Sequence, residues 1–387
     1  MKLFRTLPTS RLLLLLGSAV AALVVGVAIA VAASGGGPTP PPKPLPDAIH
    51  SALAAAPPPG ISADISFTNG LLPSGALTGR AGSPLLSGAT GRLWATNDGR
   101  GRLELQSDAG DVQIVWNRDR LTVYDATSNT VYRATLPRQT KPETARPATP
   151  SVPQISDALS KLGAAWSLTG AKPTDVGGRA AYSVRVSPKG PGSLLSAAEI
   201  AWDAVRGVPL RIAIYAKGVT KPVLALSVTN ISFGAVPSSD VDVSPPPGAK
   251  VVDIPTSGGA GGGPTAPSVT GLAAVQAALP FHVSAPDTLG GLARTGVRLV
   301  GHGASQGALI VYGRDLGAVA VLERAATSHA GADPLAALPT VSIGSATAHE
   351  LSIPLGTLLR WQRAGVETVL AGSVTASTAE ADAVSLR

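Results

Sequence analysis

Apolar and polar residues alternate through residues 91–137, "GRLWATNDGRGRLELQSDAGDVQIVWNRDRLTVYDATSNTVYRATLP", between turn-rich breaks. Leu103 and Leu105 share one face of a strand, and Ile114 and Trp116 share one face of the next strand. A period of two is that of a β-strand, and "NRDR" and "ATSN" have the composition of turns. The segment therefore predicts an antiparallel meander.

Strand patterns resume at "AAYSVRVSP" (180–188), "AAEIAWDAVRGVPLRIAIYAK" (197–217) and "PVLALSVTNISFG" (222–234). Helices are predicted over "LPDAIHSALAAAP" (45–57) and "ISDALSKLGAAW" (155–166). An antiparallel sheet with helices on one side is an α+β fold, and a long curved sheet offers a concave apolar face. A register error of one residue would move a strand's residues to the other face. The residues that we place on the concave face are Leu103, Leu105, Ile114, Trp116, Val184, Val186, Trp202, Ile212 and Ile214.

The stretch "PTSGGAGGGPTAPS" (255–268) is too rich in Gly and Pro to form a core, so it predicts a linker between two domains. The second domain, 269–387, shows a helix pattern at "GLAAVQAALP" and strands around "GVRLVGHG" and "GALIVYGRDLGAVAVLERA". In "LLRWQRAGVETVLAGSV" an Ala-Gly turn joins two strands, and "STAEADAVSLR" predicts a final helix. A small α+β domain is expected.

Residues 12–33 carry no charge and would measure about 33 Å as a helix at ~1.5 Å per residue, enough to cross a bilayer. Lys2, Arg5 and Arg11 precede this run, so the positive-inside rule predicts a cytoplasmic tail at 1–11 and an extracytoplasmic bulk. The alternative is a cleaved signal peptide, because "AVAAS" offers small residues near a cleavage point. Both interpretations export the rest of the chain, and 34–46, "SGGGPTPPPKPLP", is predicted to be a spacer.

The succession of strands over 199–253 resembles the closing half of the lipoprotein-carrier fold of the LolA type, which RseB-like periplasmic regulators share. Trp202, Asp203, Gly207 and Pro209 match a strand that ends in an acid and turns into a "Gly-x-Pro" strand, and residues 245–249 match a "PPPGA" tail. Residues 115–136 are similar to that family's central hairpins. The resemblance covers most of 47–254 and implies an incomplete β-barrel, capped by helices, whose apolar interior holds acyl chains.

The second domain is similar to a small extracytoplasmic domain of envelope-stress and anti-sigma-factor-related proteins. Together the resemblances imply a membrane-anchored, extracytoplasmic protein that binds lipid or lipoprotein acyl chains. The alternative is an RseB-like sensor or regulator that acts through an envelope or membrane partner protein. We match no position of this chain to the family's lid-closing Arg. A permanent anchor suits a tethered receiver, sensor or donor better than a diffusing shuttle.

Composition narrows the other classes of function. The formal charge of +7 is spread without a basic stripe and aromatics are 4%, so nucleic-acid binding is not expected. The chain has no Cys, and its five His lack ligand spacing, so neither a metal site nor a cofactor is expected. Hydrophobic residues reach 44%, which is ample for two cores.

One motif suggests catalysis. Gly303, Ser305 and Gly307 have the Gly-x-Ser-x-Gly spacing of a hydrolase nucleophile elbow, with Asp315 or Asp333 and then His349 as partners in chain order. An elbow requires a helix after the Ser, whereas "ALIVYGRDLGAVAVLE" is rich in β-branched residues. We therefore predict that Ser305 is a turn residue between two strands, that His302 is exposed, and that the protein is not an enzyme.

Overall fold

The structure is a computed structural model that describes residues 37–71, 83–136, 149–190, 192–254, 269–326, 335 and 338–386. The first domain contains helices α1 (Leu45–Ala54), α2 (Pro84–Ser87), α3 (Val152–Leu162) and α4 (Ser238–Val241). Its strands are β1 (Gly60–Asn69), β2 (Ala89–Thr96), β3 (Gly101–Ser107), β4 (Gly110–Trp116), β5 (Arg120–Asp125), β6 (Thr130–Thr135), β7 (Trp166–Leu168), β8 (Lys172–Val176), β9 (Arg179–Pro188), β10 (Leu195–Asp203), β11 (Pro209–Ala216), β12 (Leu224–Phe233) and β13 (Lys250–Ile254).

These strands form one 13-stranded sheet that curls into a half-barrel, in the order β13-β6-β5-β4-β3-β2-β1-β12-β11-β10-β9-β7, with β8 also paired to β9. The meander predicted over 91–137 is confirmed as β2 to β6. The first strand closes against a late strand, β12, and β13 adds to β6 in parallel. The long-range β1–β12 pairing joins the meander to β9–β12.

The turn between β10 and β11 shows why an acid ends the first of these strands. The Asp203 carboxylate is 1% exposed and accepts hydrogen bonds from the backbone N–H groups of Val205 (2.9 Å) and Arg206 (2.7 Å). Arg179 Nε donates to the other carboxylate oxygen at 2.9 Å. Gly207 has a φ of 65°, and a Cβ there would overlap the carbonyl group of Ala52, so the turn requires glycine.

The second domain contains α5 (Leu272–Ala277) and α6 (Ala376–Ser385). Its strands are β14 (Thr288–Leu289), β15 (Leu292–Val300), β16 (Gly307–Tyr312), β17 (Val319–Ala325), β18 (Thr340–Ile343), β19 (Ala346–Ile353), β20 (Gly356–Arg363) and β21 (Val366–Gly372). They form an eight-stranded sheet in the order β14-β15-β16-β17-β21-β20-β19-β18, and both helices pack on its apolar face. The predicted hairpin is present, because β20 and β21 are joined at Ala364 and Gly365, both with positive φ.

Among the described residues no helix is both long and apolar enough to cross a bilayer, and the predicted anchor, 12–33, lies outside them. The predicted linker 255–268 also lies outside the described residues.

Of the predicted spacer 34–46, residues 45 and 46 belong to α1, and the carbonyl oxygen of Pro41 accepts a 2.6 Å hydrogen bond from the Tyr182 hydroxyl. This part of the spacer therefore lies against the first domain.

Candidate functional site

The nine predicted residues lie on one face of the first sheet, which we call the inner face. Strand register establishes this: Val184 pairs with Ile200 and Ile200 with Ile212, and a parallel row links Val186, Ala198 and Ile214. Ile212 continues through Leu226 to Phe67. Ile65, two residues from Phe67, leads through Gly91 to Leu105. Because side chains alternate along a strand, residues linked by these pairs share a face.

Four of the nine residues lie in a closed core. Leu103, Leu105 and Ile114 are 0% exposed, and Trp116 is 6% exposed. They pack with residues of β1, β2, β5 and β12 and with Leu85 of α2. These four residues are on the inner face of the sheet and are buried in the core that covers this part of it. Lipid contact by the four residues stays a prediction.

Val184 and Trp202 lie beneath α1, in a smaller buried cluster with Ala48 and Tyr182. The rings of Tyr182 and Trp202 are 6.2 Å apart and tilted by 42°. Burial raises the pKa of the Tyr182 hydroxyl, which donates to the Pro41 carbonyl. The N-terminal segment and α1 thus cover one end of the inner face.

Val186, Ile212 and Ile214 differ from the other six because they are only half-buried. Three further half-buried residues continue the same rows, and sequence reasoning missed them. We call the six together the β9–β12 patch: Val186, Ala198, Ile200, Ile212, Ile214 and Leu224. The alternation in "EIAWD" indicated Ile200, whereas β12 is buried on both faces over Ala225–Val228 and gave no clear period.

The two faces of β9–β11 differ in chemistry. Inner-face positions on these strands carry no charged side chain, whereas Glu199, Arg211, Tyr215 and Arg185 form a network on the outer face. Arg211 Nε donates to Glu199 at 2.9 Å, Tyr215 donates to the same carboxylate at 3.3 Å, and the Arg185 guanidinium stacks 4.0 Å from the Tyr215 ring. The inner face of these strands is therefore suited to an apolar ligand.

The Ser305 motif forms a turn, as predicted. Gly303–Ser305 is a 3₁₀ turn between β15 and β16, and Gly307 begins a strand that pairs back with Val300. Ser305 Oγ donates to the carbonyl oxygen of His302, three residues earlier, at 2.8 Å. Of the partners considered, Asp315 begins another 3₁₀ turn, His349 lies on β19, and Asp333 is outside the described residues. The helix that a nucleophile elbow requires does not follow this Ser.

Within the described ranges, no group of three or more His, Asp or Glu side chains is arranged to hold a metal ion. Glu323 on β17 is an acid with a strongly shifted pKa, and it is 3% exposed in the second domain's core. Burial raises its pKa to about 7, although the Ser284 N–H donates to it at 2.9 Å. This carboxyl lies in a packed core and is not part of the β9–β12 patch.

No protein-family model matches the chain, and no curated protein matches it. Solved structures that match the chain include the MucA/MucB complex of Pseudomonas aeruginosa, at 15% identity and a TM-score of 0.42, covering 89% of this chain and 98% of that one. A structure of MucB in complex with MucA(peri) covers 89% and 96%, at 16% identity and a TM-score of 0.39. A LolA superfamily protein from Nitrosomonas europaea covers 52% of this chain and 99% of its own, at 7% identity and a TM-score of 0.22. The matched proteins are MucB and a LolA superfamily protein, and at TM-scores below 0.5 they carry no inference beyond the match itself.

Proposed function

We propose that this chain is a membrane-anchored extracytoplasmic protein that binds the acyl chains of a lipid or lipoprotein on the inner face of its first domain. The observation that supports the proposal is the β9–β12 patch, six adjoining apolar residues that remain half-buried beside a closed core. Apolar surface of this kind, with no charge within it, favours a ligand that brings its own apolar surface.

The energetics suit an alkyl chain. Each methylene removed from water contributes about 0.8 kcal/mol, so a chain of about ten carbons would contribute roughly 8 kcal/mol before the cost of ordering it. The closed core over β1–β5 limits where such a chain can lie. We therefore place it along β9–β12, next to α1, and expect the four core residues to support the sheet.

Anchoring is proposed from the uncharged run 12–33 and its basic N-terminal flank. A tethered binder would receive or present its ligand at the membrane from which it projects. The RseB-like alternative, in which the protein acts on an envelope partner, stays a prediction from the sequence resemblance.

The test is native mass spectrometry of the delipidated full-length protein after exposure to phospholipid vesicles or, in a second arm, to a diacylated peptide. We expect wild-type protein to acquire acyl-chain mass in at least one arm, and the arm identifies the source. Ile212→Glu places a carboxylate in the half-buried β9–β12 patch. The substitution is expected to abolish acyl-chain uptake while the domain stays folded.

Ile114→Glu is the matched control, because Ile114 occupies an inner-face position that is 0% exposed. This substitution is expected to unfold the first domain. The proposal fails if the wild type takes up no acyl chain in either arm, or if Ile212→Glu unfolds the domain as completely as Ile114→Glu does.

A further inference from the structure

Several hairpin turns of the first domain lie at the same end of the half-barrel, which we call the tip end. Antiparallel pairing brings Gly60 opposite Thr96 and Ile61 opposite Phe233. The β2–β3 turn therefore lies beside the first residue of β1 and the last residue of β12. The β10–β11 turn reaches the same end, since Ala204 N–H donates to Ala180 O at 2.9 Å beside the β8–β9 turn.

The chain arrives from its N-terminal segment at this end. A Cβ on Gly37 would overlap the carboxylate of Asp175, which is one residue from the end of β8. From there the segment passes Tyr182, and α1 then brings Ala52 against Gly207 in the β10–β11 turn. Both ends of the stretch 37–52 are therefore fixed to the tip end.

The tip end exposes apolar side chains next to arginines. Val205, in the β10–β11 turn, is 75% exposed, and Leu53, next to Ala52, is 49% exposed. Arg206 is exposed and stacks on Phe233 with its guanidinium 4.7 Å from the ring centroid. The neighbouring β2–β3 and β4–β5 turns line a shallow cleft of about 520 Å³ with Asp98, Arg100, Asn117, Arg118, Asp119 and Arg120.

Chain length limits how far this end can be from a bilayer. Four peptide steps separate Ala33, the last residue of the uncharged run, from Gly37. At ~3.5 Å per residue they span at most about 14 Å. The headgroup region of one leaflet is roughly 5 to 8 Å thick, from a ~30 Å core in a ~40 to 45 Å bilayer. Gly37 is then held within several ångströms of the headgroup surface.

We propose that the tip end of the first domain rests on the phospholipid surface, with Val205 and Leu53 entering the headgroup layer and Arg206 facing lipid phosphates. An exposed apolar side chain beside an arginine suits this boundary, because the stem enters the apolar layer while the guanidinium stays with phosphate. The inference rests on the anchor of the proposed function. It adds an orientation: the strands that carry the β9–β12 patch end at the membrane.

The absence of Cys from the chain allows a single-site probe. We would introduce Val205→Cys or Val219→Cys, label each with an environment-sensitive fluorophore, and reconstitute the full-length protein in nanodiscs of phosphatidylcholine and phosphatidylglycerol with a nitroxide-headgroup lipid. Val219 is the matched control: it is 46% exposed and lies in the turn at the other end of β11. The eight residues of β11 separate the two turns by about 26 Å at ~3.3 Å per residue.

We expect several-fold stronger quenching by the nitroxide at position 205 than at position 219, and Leu53→Cys to behave like Val205→Cys. Retention in carbonate-washed membranes is measured in parallel. If the protein is retained but position 205 is quenched no more than position 219, the orientation is wrong while the anchor stands. If carbonate releases the protein, the anchor and the orientation fail together, whereas acyl-chain uptake by mass spectrometry remains a separate result.

Discussion

The second domain should lose stability as the pH rises, because of one buried acid. Glu323 faces the core of the second sheet, paired with Ala308 on one side and Thr368 on the other. Desolvation is the main cause that raises its pKa from 4.5 to about 7, while the Ser284 N–H opposes the shift. The folded state therefore keeps a proton on Glu323 at a pH where the unfolded state has released it.

The direction and the magnitude of this pH dependence follow from the linkage between proton binding and folding. The folded-state pKa lies above the unfolded one, so the contribution is fully present below about pH 4.5 and is lost as the pH rises through about 7. A difference of roughly two and a half units at 1.36 kcal/mol per unit gives about 3 kcal/mol. Glu323→Gln removes the ionisation, and its amide oxygen can still accept from Ser284. The variant is expected to be more stable than wild type by less than about 1 kcal/mol near pH 5 and by about 3 kcal/mol near pH 8.

The assay is urea unfolding of the full-length protein followed by pulsed hydrogen exchange and mass spectrometry, which reports on β16–β17 separately from the first domain. The quantity compared is the change in unfolding free energy between about pH 5 and about pH 8, wild type minus variant. This difference removes the contributions of Glu350, Asp382 and Glu367, whose pKa values are also shifted. Parallel pH dependence in the two proteins would refute the assignment to Glu323.

Three further outcomes are expected. Carbonate-washed membranes should retain the full-length chain, and recovery of a soluble protein beginning near Ser34 would show instead that the N-terminal run is a cleaved signal. Ser305→Ala should change the unfolding free energy by less than about 0.5 kcal/mol, as exposed turn positions do. Labelling of Ser305 by a fluorophosphonate would contradict the prediction that this Ser is not a catalytic nucleophile. Leu103→Ala should cost about 2 to 5 kcal/mol in urea unfolding, because Leu103 is 0% exposed, and a cost below about 1 kcal/mol would mean that this part of the inner face is open.

Local pattern was sufficient for most elements of both domains. Period-two alternation predicted β3, β4 and β9–β11, and the helix patterns at 45–57 and 155–166 correspond to α1 and α3. The pattern was less reliable where a strand is buried on both faces, as in β12, or interrupted. The stretch 307–325 forms two strands, β16 and β17, separated by a 3₁₀ turn at Asp315–Gly317.

The sequence alone determined which side of each separate strand is apolar, because alternation is a property of the strand. That the nine residues share one face of the sheet depends on the pairing between strands, including the long-range pairing of β1 with β12. Only the tertiary structure decided which of them are sealed and which are accessible. That outcome depends on contacts between residues distant in the chain: Leu85 packs in the core with Leu103, α1 packs over Trp202, and β1 pairs with β12. The half-buried state of Ile212 and the close approach of Gly207 to the Ala52 carbonyl group have the same origin, since neither is set by neighbours in sequence. Side-chain period is local, whereas solvent exposure is a property of the whole packed domain.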